Sequence, residues 1–212
     1  TNAAALSGLL CGWAALLLVH ALLRRHFRPA LALGATLLLW GASFLHWYMV
    51  QQPMMSHAFS AAVAALALWA WDRTRAGRST AQSLALGLLL GFGMCVRWQN
   101  GVLLLLPALD LLAGLRGAHR AGAGWGQGLR GLLPSALVLG AGALVGALPQ
   151  MAAWKVISGE WPLRYPPHGA GFLRLGHPWV LETLFSSRHG LLSWTPALWA
   201  GFLGFLPLLR GR

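Results

Sequence analysis

Apolar residues run through this chain in blocks of helix-spanning length, separated by short polar gaps. Seven blocks read as spans: Ala3–Leu23, Ala30–Val50, Ser56–Trp71, Ala81–Val96, Gly101–Leu115, Leu132–Ala153 and Leu191–Leu209. A helix that crosses a bilayer takes roughly 20 mostly apolar residues. The third, fourth and fifth blocks are short of that, so they are expected to tilt little or to run on into the interfaces. Strands of a barrel would alternate polar and apolar residues, and no block does so. Backbone groups in lipid must satisfy one another, which leaves helices as the form for such runs. The pattern predicts an all-α, polytopic transmembrane helix bundle, a single region over residues 1–212.

Composition agrees with a chain dissolved largely in lipid. Of its 212 residues 57% are hydrophobic and 9% charged, against about 25% charged in soluble domains. Mean hydropathy is +0.61. These figures exclude a disordered chain, a coiled coil and a small disulfide-stapled module. Cys11 and Cys95 both fall inside apolar blocks, so no disulfide framework is indicated. The chain opens Thr1-Asn2 with no basic leader and cleavage site, so the first block is not a signal peptide. A piece of a longer protein is expected, with part of any active site upstream.

The formal net charge of +12 would suggest nucleic acid in a soluble protein. Here the charges lie in the gaps, where membrane proteins keep them. Eleven of the sixteen Lys and Arg fall in alternate gaps, which hold Arg24, Arg25 and Arg28, then Arg73, Arg75 and Arg78, then Arg116, Arg120 and Arg130, then Arg210 and Arg212. Arg97, Lys155, Arg164, Arg174 and Arg188 make up the other set. The richer set is predicted to be cytoplasmic, which puts the start of the chain outside and its end inside. The glycine-rich, basic stretch 114–131 reads as a flexible loop against anionic headgroups rather than a nucleic-acid site. Asp110 is a lone carboxylate inside a span, for which Arg116 or water at the inner interface is the expected partner.

The outer gaps carry the candidate chemistry. They are the polar turn 51–57, the near-absent gap Arg97-Trp98-Gln99-Asn100, and a long extracytoplasmic loop over 155–190. Trp47, Tyr48, Trp98, Trp154, Trp161 and Trp194 lie at the same level, as an interfacial aromatic belt would. Arg97 ends one span just before the chain re-enters the membrane. Its planar fork suits a lipid phosphate as well as it suits snorkelling. Gln99 and Asn100 would add hydrogen-bond donors beside it, and Trp98 a stacking surface. His57 follows Ser56 at the start of the third block and is either an interfacial anchor or a cavity-facing acid/base. Arg188 and His189 precede the last block and could hold a second phosphate or a sugar hydroxyl. Glu160 and Glu182 are the outer carboxylates, read as solvated loop residues. His46 and His57 are not at helical ligand spacing and have no acidic neighbour, so a divalent metal is possible but not indicated.

Three stretches together resemble the polytopic GT-C glycosyltransferases, such as the protein O-mannosyltransferases and the aminoarabinose transferase of lipid A. They are His46–Trp69, Leu86–Pro107, and Pro149–Leu198, the last containing LFSSRHGLLSWTPAL. The likeness is greatest to bacterial members of the RgtA/B/C/D-like group. It implies transfer of a sugar from a polyprenyl-phosphate carrier to an acceptor at the outer face of a bacterial-type inner membrane. It also implies a basic phosphate contact, on which Arg97 falls, and an acidic base in a first outer loop expected upstream of Thr1. His57 falls near the family's second acid, a departure from the two-acid arrangement. The partners implied are the lipid-linked donor and membrane lipids, and no nucleic acid. A lipid or solute transporter or flippase, and a non-catalytic structural membrane protein, fit the same composition.

Overall fold

The computed structural model describes residues 2–159, 179–187, 190–195 and 197–209. Among them every regular element is a helix. In chain order these are α1 (Asn2–Leu23), α2 (Pro29–Gly41), α3 (Leu45–Val50), α4 (Ser56–Thr74) and α5 (Thr80–Val96). A 3-10 segment (Trp98–Leu104) then leads into α6 (Leu105–Arg120), followed by α7 (Trp125–Ser158), α8 (Val180–Phe185), α9 (Leu191–Trp194) and α10 (Ala197–Leu209).

Three helical stretches are long and apolar enough to cross a membrane: α1, the continuous run Trp98–Arg120, and α7. The shorter apolar helices α2 and α5 have 13 and 17 residues. That is fewer than the seven full spans the apolar blocks predict, and the differences sit at particular residues. The block Ala30–Val50 is broken between α2 and α3, where the Ser43 hydroxyl donates to the Leu39 carbonyl at 2.5 Å and accepts from the Leu45 N–H at 3.2 Å. A serine that bonds local backbone in this way offers an alternative to continued helix. The block Leu191–Leu209 is broken at Thr195, with φ −129° and ψ 75°. Proline follows it, and a residue before proline is pushed out of the helical region by the ring.

The stretch 114–131, expected as a flexible loop, is helix on both sides of a short turn. Gly122 takes φ 87° in that turn, a conformation only glycine adopts cheaply. The two arms pack as a helical hairpin. Gly128 lies against the Ala118 and Leu115 side chains, Gly114 against Leu132, and the His119 ring stacks on Trp125 at 4.4 Å between centroids. Removal of side chains at these glycines lets the helices meet, so a composition that reads as flexibility serves close packing instead.

Small residues fill much of the interior, around a core cluster of Ala67 with Leu86, Leu90 and Leu139. Ala58, Ala67 and Ser83 are essentially inaccessible, whereas Leu17, Leu31, Leu137 and Leu144 point outward and are mostly exposed. Large apolar side chains outside and small ones inside reverse the usual arrangement in water, and suit a bundle with lipid around it. The closest pair is α5 with α7, which run parallel. Ser83 and Ser135 share a hydroxyl hydrogen bond of 2.8 Å. One and two turns further on, Gly87 and Gly91 face the backbone carbonyls of Leu139 and Ala143. Gly142 and Gly146 of α7 face the backbone of α5 in return.

Helices α1 and α4 also run parallel. Gly8 abuts the Pro53 carbonyl and Gly12 the Met49 side chain, just ahead of α4. At their other ends, the Asp72 carboxylate accepts from Arg25 Nε at 2.8 Å and lies 3.0 Å from His26 Nε2. Polar groups are thus sorted to two ends. Among the described residues, Asp72 and the arginine-rich gaps at 24–28, 73–78 and 116–130 occupy one, and the turn 51–57 and Arg97 the other.

Asp72 lies just past the apolar part of α4 and is buried. Burial pushes its carboxyl up, but the hydrogen bonds and charges of Arg25 and His26 outweigh it and hold the group below its usual value of 3.8. Its contribution to stability is therefore complete above that usual value and disappears as pH falls through the depressed one. Because Arg25 and His26 are partly exposed, Asp72→Asn is expected to cost about 1–2 kcal/mol at neutral pH. The difference between the two chains in thermal unfolding is expected to close below about pH 4, the range set by an ordinary carboxylate.

Candidate functional site

Helix α5 starts at a capping box, in which the Ser79 hydroxyl accepts from the Gln82 N–H and Gln82 Oε1 accepts from the Ser79 N–H. It stops at Arg97, whose backbone is extended (φ −153°, ψ 127°). The chain then turns straight back into the bundle. Asn100 fixes that reversal. Its N–H donates to the Arg97 carbonyl at 2.9 Å, its Nδ2 donates to the Gly93 carbonyl at 2.9 Å, and its Oδ1 accepts from the Ser60 hydroxyl at 2.9 Å. The Asn100 amide is buried and fully engaged in the turn, and the cavity described below is lined without it. Its role here is to hold the loop that presents Arg97. Asn100→Ala would leave the half-buried Ser60 hydroxyl and the Gly93 carbonyl short of partners and is expected to cost about 1–3 kcal/mol. Gln99→Ala, at an exposed position, should stay within about 0.5 kcal/mol. Thermal unfolding of the two variants side by side checks the assignment.

The reversal opens a cavity of about 460 Å³, in the size range of small-molecule sites. Arg97, His57, Gln99 and Gln150 supply its polar groups. Ser56, Trp98, Trp154, Met94, Cys95 and Val96 complete its lining. The two indoles stand 6.0 Å apart between centroids at 54°. Arg97 Nη1 lies 2.6 Å from His57 Nδ1 and 2.9 Å from Nε2. A guanidinium only donates, so the unprotonated ring nitrogen is the acceptor, and the imidazole is neutral in this contact. On its other side the His57 ring stacks on Tyr48, 3.7 Å between centroids and 9° from parallel. Tyr48 and His57, on either side of the turn 51–57, are thus joined to Arg97 at the end of α5. Ser56 is the first residue of α4, and Met55 holds the cap position without a side-chain bond.

Of the residues singled out in the sequence, the structure brings Arg97, His57, Gln99 and Trp98 together and assigns Asn100 to the turn. Arg188 and His189 lie outside the described residues, as does Glu160. Lys155 donates from Nζ to the Gly159 carbonyl at 2.5 Å. Glu182 sits in the first turn of α8. Gln150 and Trp154 enter the site from α7. Their spacing of four residues places them on one helix face, and that is the signal in the sequence that would have joined them to Arg97. The contribution of Cys95 to the lining has no such signal; its thiol approaches the Gly146 carbonyl at 3.3 Å. Among the described residues no cluster of three potential metal ligands occurs.

Asp110 is paired differently from expectation. Its Oδ2 accepts from Trp71 Nε1 at 2.6 Å and lies 3.6 Å from Arg78 Nη2. The cation nearest it is therefore Arg78, brought from the α4–α5 connection, rather than Arg116 on its own helix. It lies at the opposite end of the bundle from Arg97.

An arrangement of one guanidinium, two amide side chains and two indoles, without a carboxylate among the described lining residues, is suited to an anion carried on an apolar body. Comparison of the chain with protein-family models, with curated proteins and with solved structures finds no match.

Proposed function

We propose that this chain belongs to an integral membrane glycosyltransferase that takes a sugar from a polyprenyl-phosphate carrier, with Arg97 holding the carrier phosphate. The observation that carries this reading is the placement of Arg97. It ends an apolar helix and lines a polar cavity, with the His57 ring in contact with its Nη1. A lipid-linked donor enters sideways from the bilayer, so its phosphate arrives at the level where apolar helices end. In the reaction an acceptor hydroxyl bonds to the anomeric carbon, the bond from that carbon to the phosphate oxygen breaks, and the acceptor proton passes to a base. The carrier phosphate leaves with the bonding electrons, and a fixed cation beside it lowers the barrier most where that charge develops. Trp98 and Trp154 offer apolar faces for the sugar ring, and Gln99 and Gln150 offer hydrogen bonds to its hydroxyls.

The end that carries Arg97 is the extracytoplasmic one in this proposal, because the opposite end has the greater share of Arg. Cysteine placed at Ser187 is then expected to label from outside and cysteine at Ser79 from inside, and the reverse pattern would overturn the orientation. The activity itself is tested by reconstituting the full-length protein with a polyprenyl-phosphate sugar and an acceptor-side membrane extract. Release of the carrier phosphate, dependent on Arg97, is the expected result. Intact donor binding with no release would reduce the protein to a lipid-phosphate binder.

A further inference from the structure

A second cavity, of about 580 Å³, opens at the end of the bundle away from Arg97. Arg75 and Arg78 stand on its wall where the α4–α5 connection meets α6 and α7, and Leu104, Leu111 and Leu139 line the apolar part. The Arg78 side chain is only 12% exposed. Its Nε donates to the Thr74 hydroxyl at 3.0 Å, whereas its Nη2 is buried and makes no hydrogen bond. The nearest carboxylate oxygen, on Asp110, is 3.6 Å away, too far for a hydrogen bond, and is already taken by the Trp71 indole at 2.6 Å. Arg75 lies over the same Trp71 ring at 4.8 Å. Burial weakens the hold of Arg78 on its proton, and Asp110 only partly opposes this. Two guanidinium groups and a single carboxylate, Asp110, thus line this cavity, which leaves a net positive charge beside an apolar groove.

We propose that this cavity binds an anionic phospholipid, its phosphate on Arg78 and Arg75 and an acyl chain along the leucine wall. A buried guanidinium with an uncommitted N–H gains from a phosphate oxygen what the distant carboxylate does not supply. The leucine wall separates this ligand from a free anion, which would leave the groove unfilled. The proposal rests on membrane placement of the chain and is independent of the chemistry assigned to Arg97.

Native mass spectrometry tests it on the full chain extracted from nanodiscs of equal phosphatidylglycerol and phosphatidylcholine. Both lipids carry a phosphate, but the choline ammonium cancels its charge beside the unbalanced guanidinium groups, so retention of phosphatidylglycerol is expected to exceed that of phosphatidylcholine by about tenfold. Arg78→Gln should abolish the preference. Ala136→Trp, which fills the groove and leaves Arg78 in place, should abolish retention and keeps the test decisive if loss of Arg78 unfolds the chain. Equal retention of both lipids, indifference to Ala136→Trp, or displacement of the lipid by inorganic phosphate alone would overturn the proposal. Alkaline extraction of membranes separates the two ways of failing. A chain released into the aqueous phase refutes membrane placement, while one that stays with lipid and shows no headgroup preference refutes this site alone.

Discussion

Leucine in place of Gly87 or Gly91 is expected to lower the stability of the detergent-solubilised chain by about 3 kcal/mol, the upper part of the usual overpacking range. For a chain of this size that is a fall of about 6–12 °C in the unfolding midpoint. The reason is the identity of the neighbouring atoms. A Cβ at Gly87 would fall on the Leu139 carbonyl and one at Gly91 on the Ala143 carbonyl. Neither is the far end of a side chain that could rotate away. The helices themselves must part, and with them the Ser83–Ser135 hydroxyl pair. Even alanine at Gly91 should destabilise, although it raises helix propensity by about 1 kcal/mol. Gly140, on the partner helix α7 with open space around it, provides the control. Gly140→Ala keeps the propensity gain without the clash and is expected to be neutral or stabilising. If Gly91→Ala and Gly140→Ala behave alike in a thermal unfolding experiment, the close α5–α7 contact is absent.

Loss of Arg97 has the largest expected effect on binding. A hydrogen bond to a charged partner contributes about 1.5–3 kcal/mol, so Arg97→Ala should weaken polyprenyl-phosphate binding by roughly 10- to 100-fold. Arg97→Lys keeps the charge and loses the planar fork, so its affinity should fall between those of the wild type and the alanine variant. His57 acts one step back, accepting from Arg97 and resting on Tyr48. It is a positioning residue in this account. His57→Ala should therefore weaken binding less than Arg97→Ala, and binding to the double variant should be no weaker than to Arg97→Ala. Additive losses in a double-mutant cycle would mean that His57 contacts the ligand independently.

Much of this was legible in the sequence because it depends on local pattern. The apolar blocks mark the helices, and a single Arg followed by three polar residues marks the place where α5 stops and the chain turns back. Residue type at the turn was less informative than it looked. Trp98, Gln99 and Asn100 read as equivalent neighbours of Arg97, yet only a three-dimensional reversal shows that Asn100 faces Gly93 and Ser60 while Gln99 faces the cavity. Glycine misled in the same way. At 114–131 it suggested a loose loop, because composition does not distinguish a glycine that frees the chain from one that admits a neighbouring helix. Asp72 was overlooked because it falls one residue beyond an apolar block. Its partners, Arg25 and His26, are 47 and 46 residues away in the chain, and Arg25 reads there as a topological signal alone. The partner of Asp110 was sought on its own helix, whereas tertiary packing supplied Arg78 and Trp71. In each case the missing knowledge was which helices are neighbours, and the close-packed glycines decide that.

Protection of an engineered cysteine at Gln99 from a membrane-impermeant maleimide, with Cys11 and Cys95 replaced by serine, reads occupancy of the Arg97 cavity directly. Polyprenyl phosphate is predicted to slow labelling, the uncharged polyprenol is predicted not to, and Arg97→Ala is predicted to remove the difference between them. Equal protection by both lipids, or by neither, would contradict the assignment of this cavity to a lipid-borne phosphate.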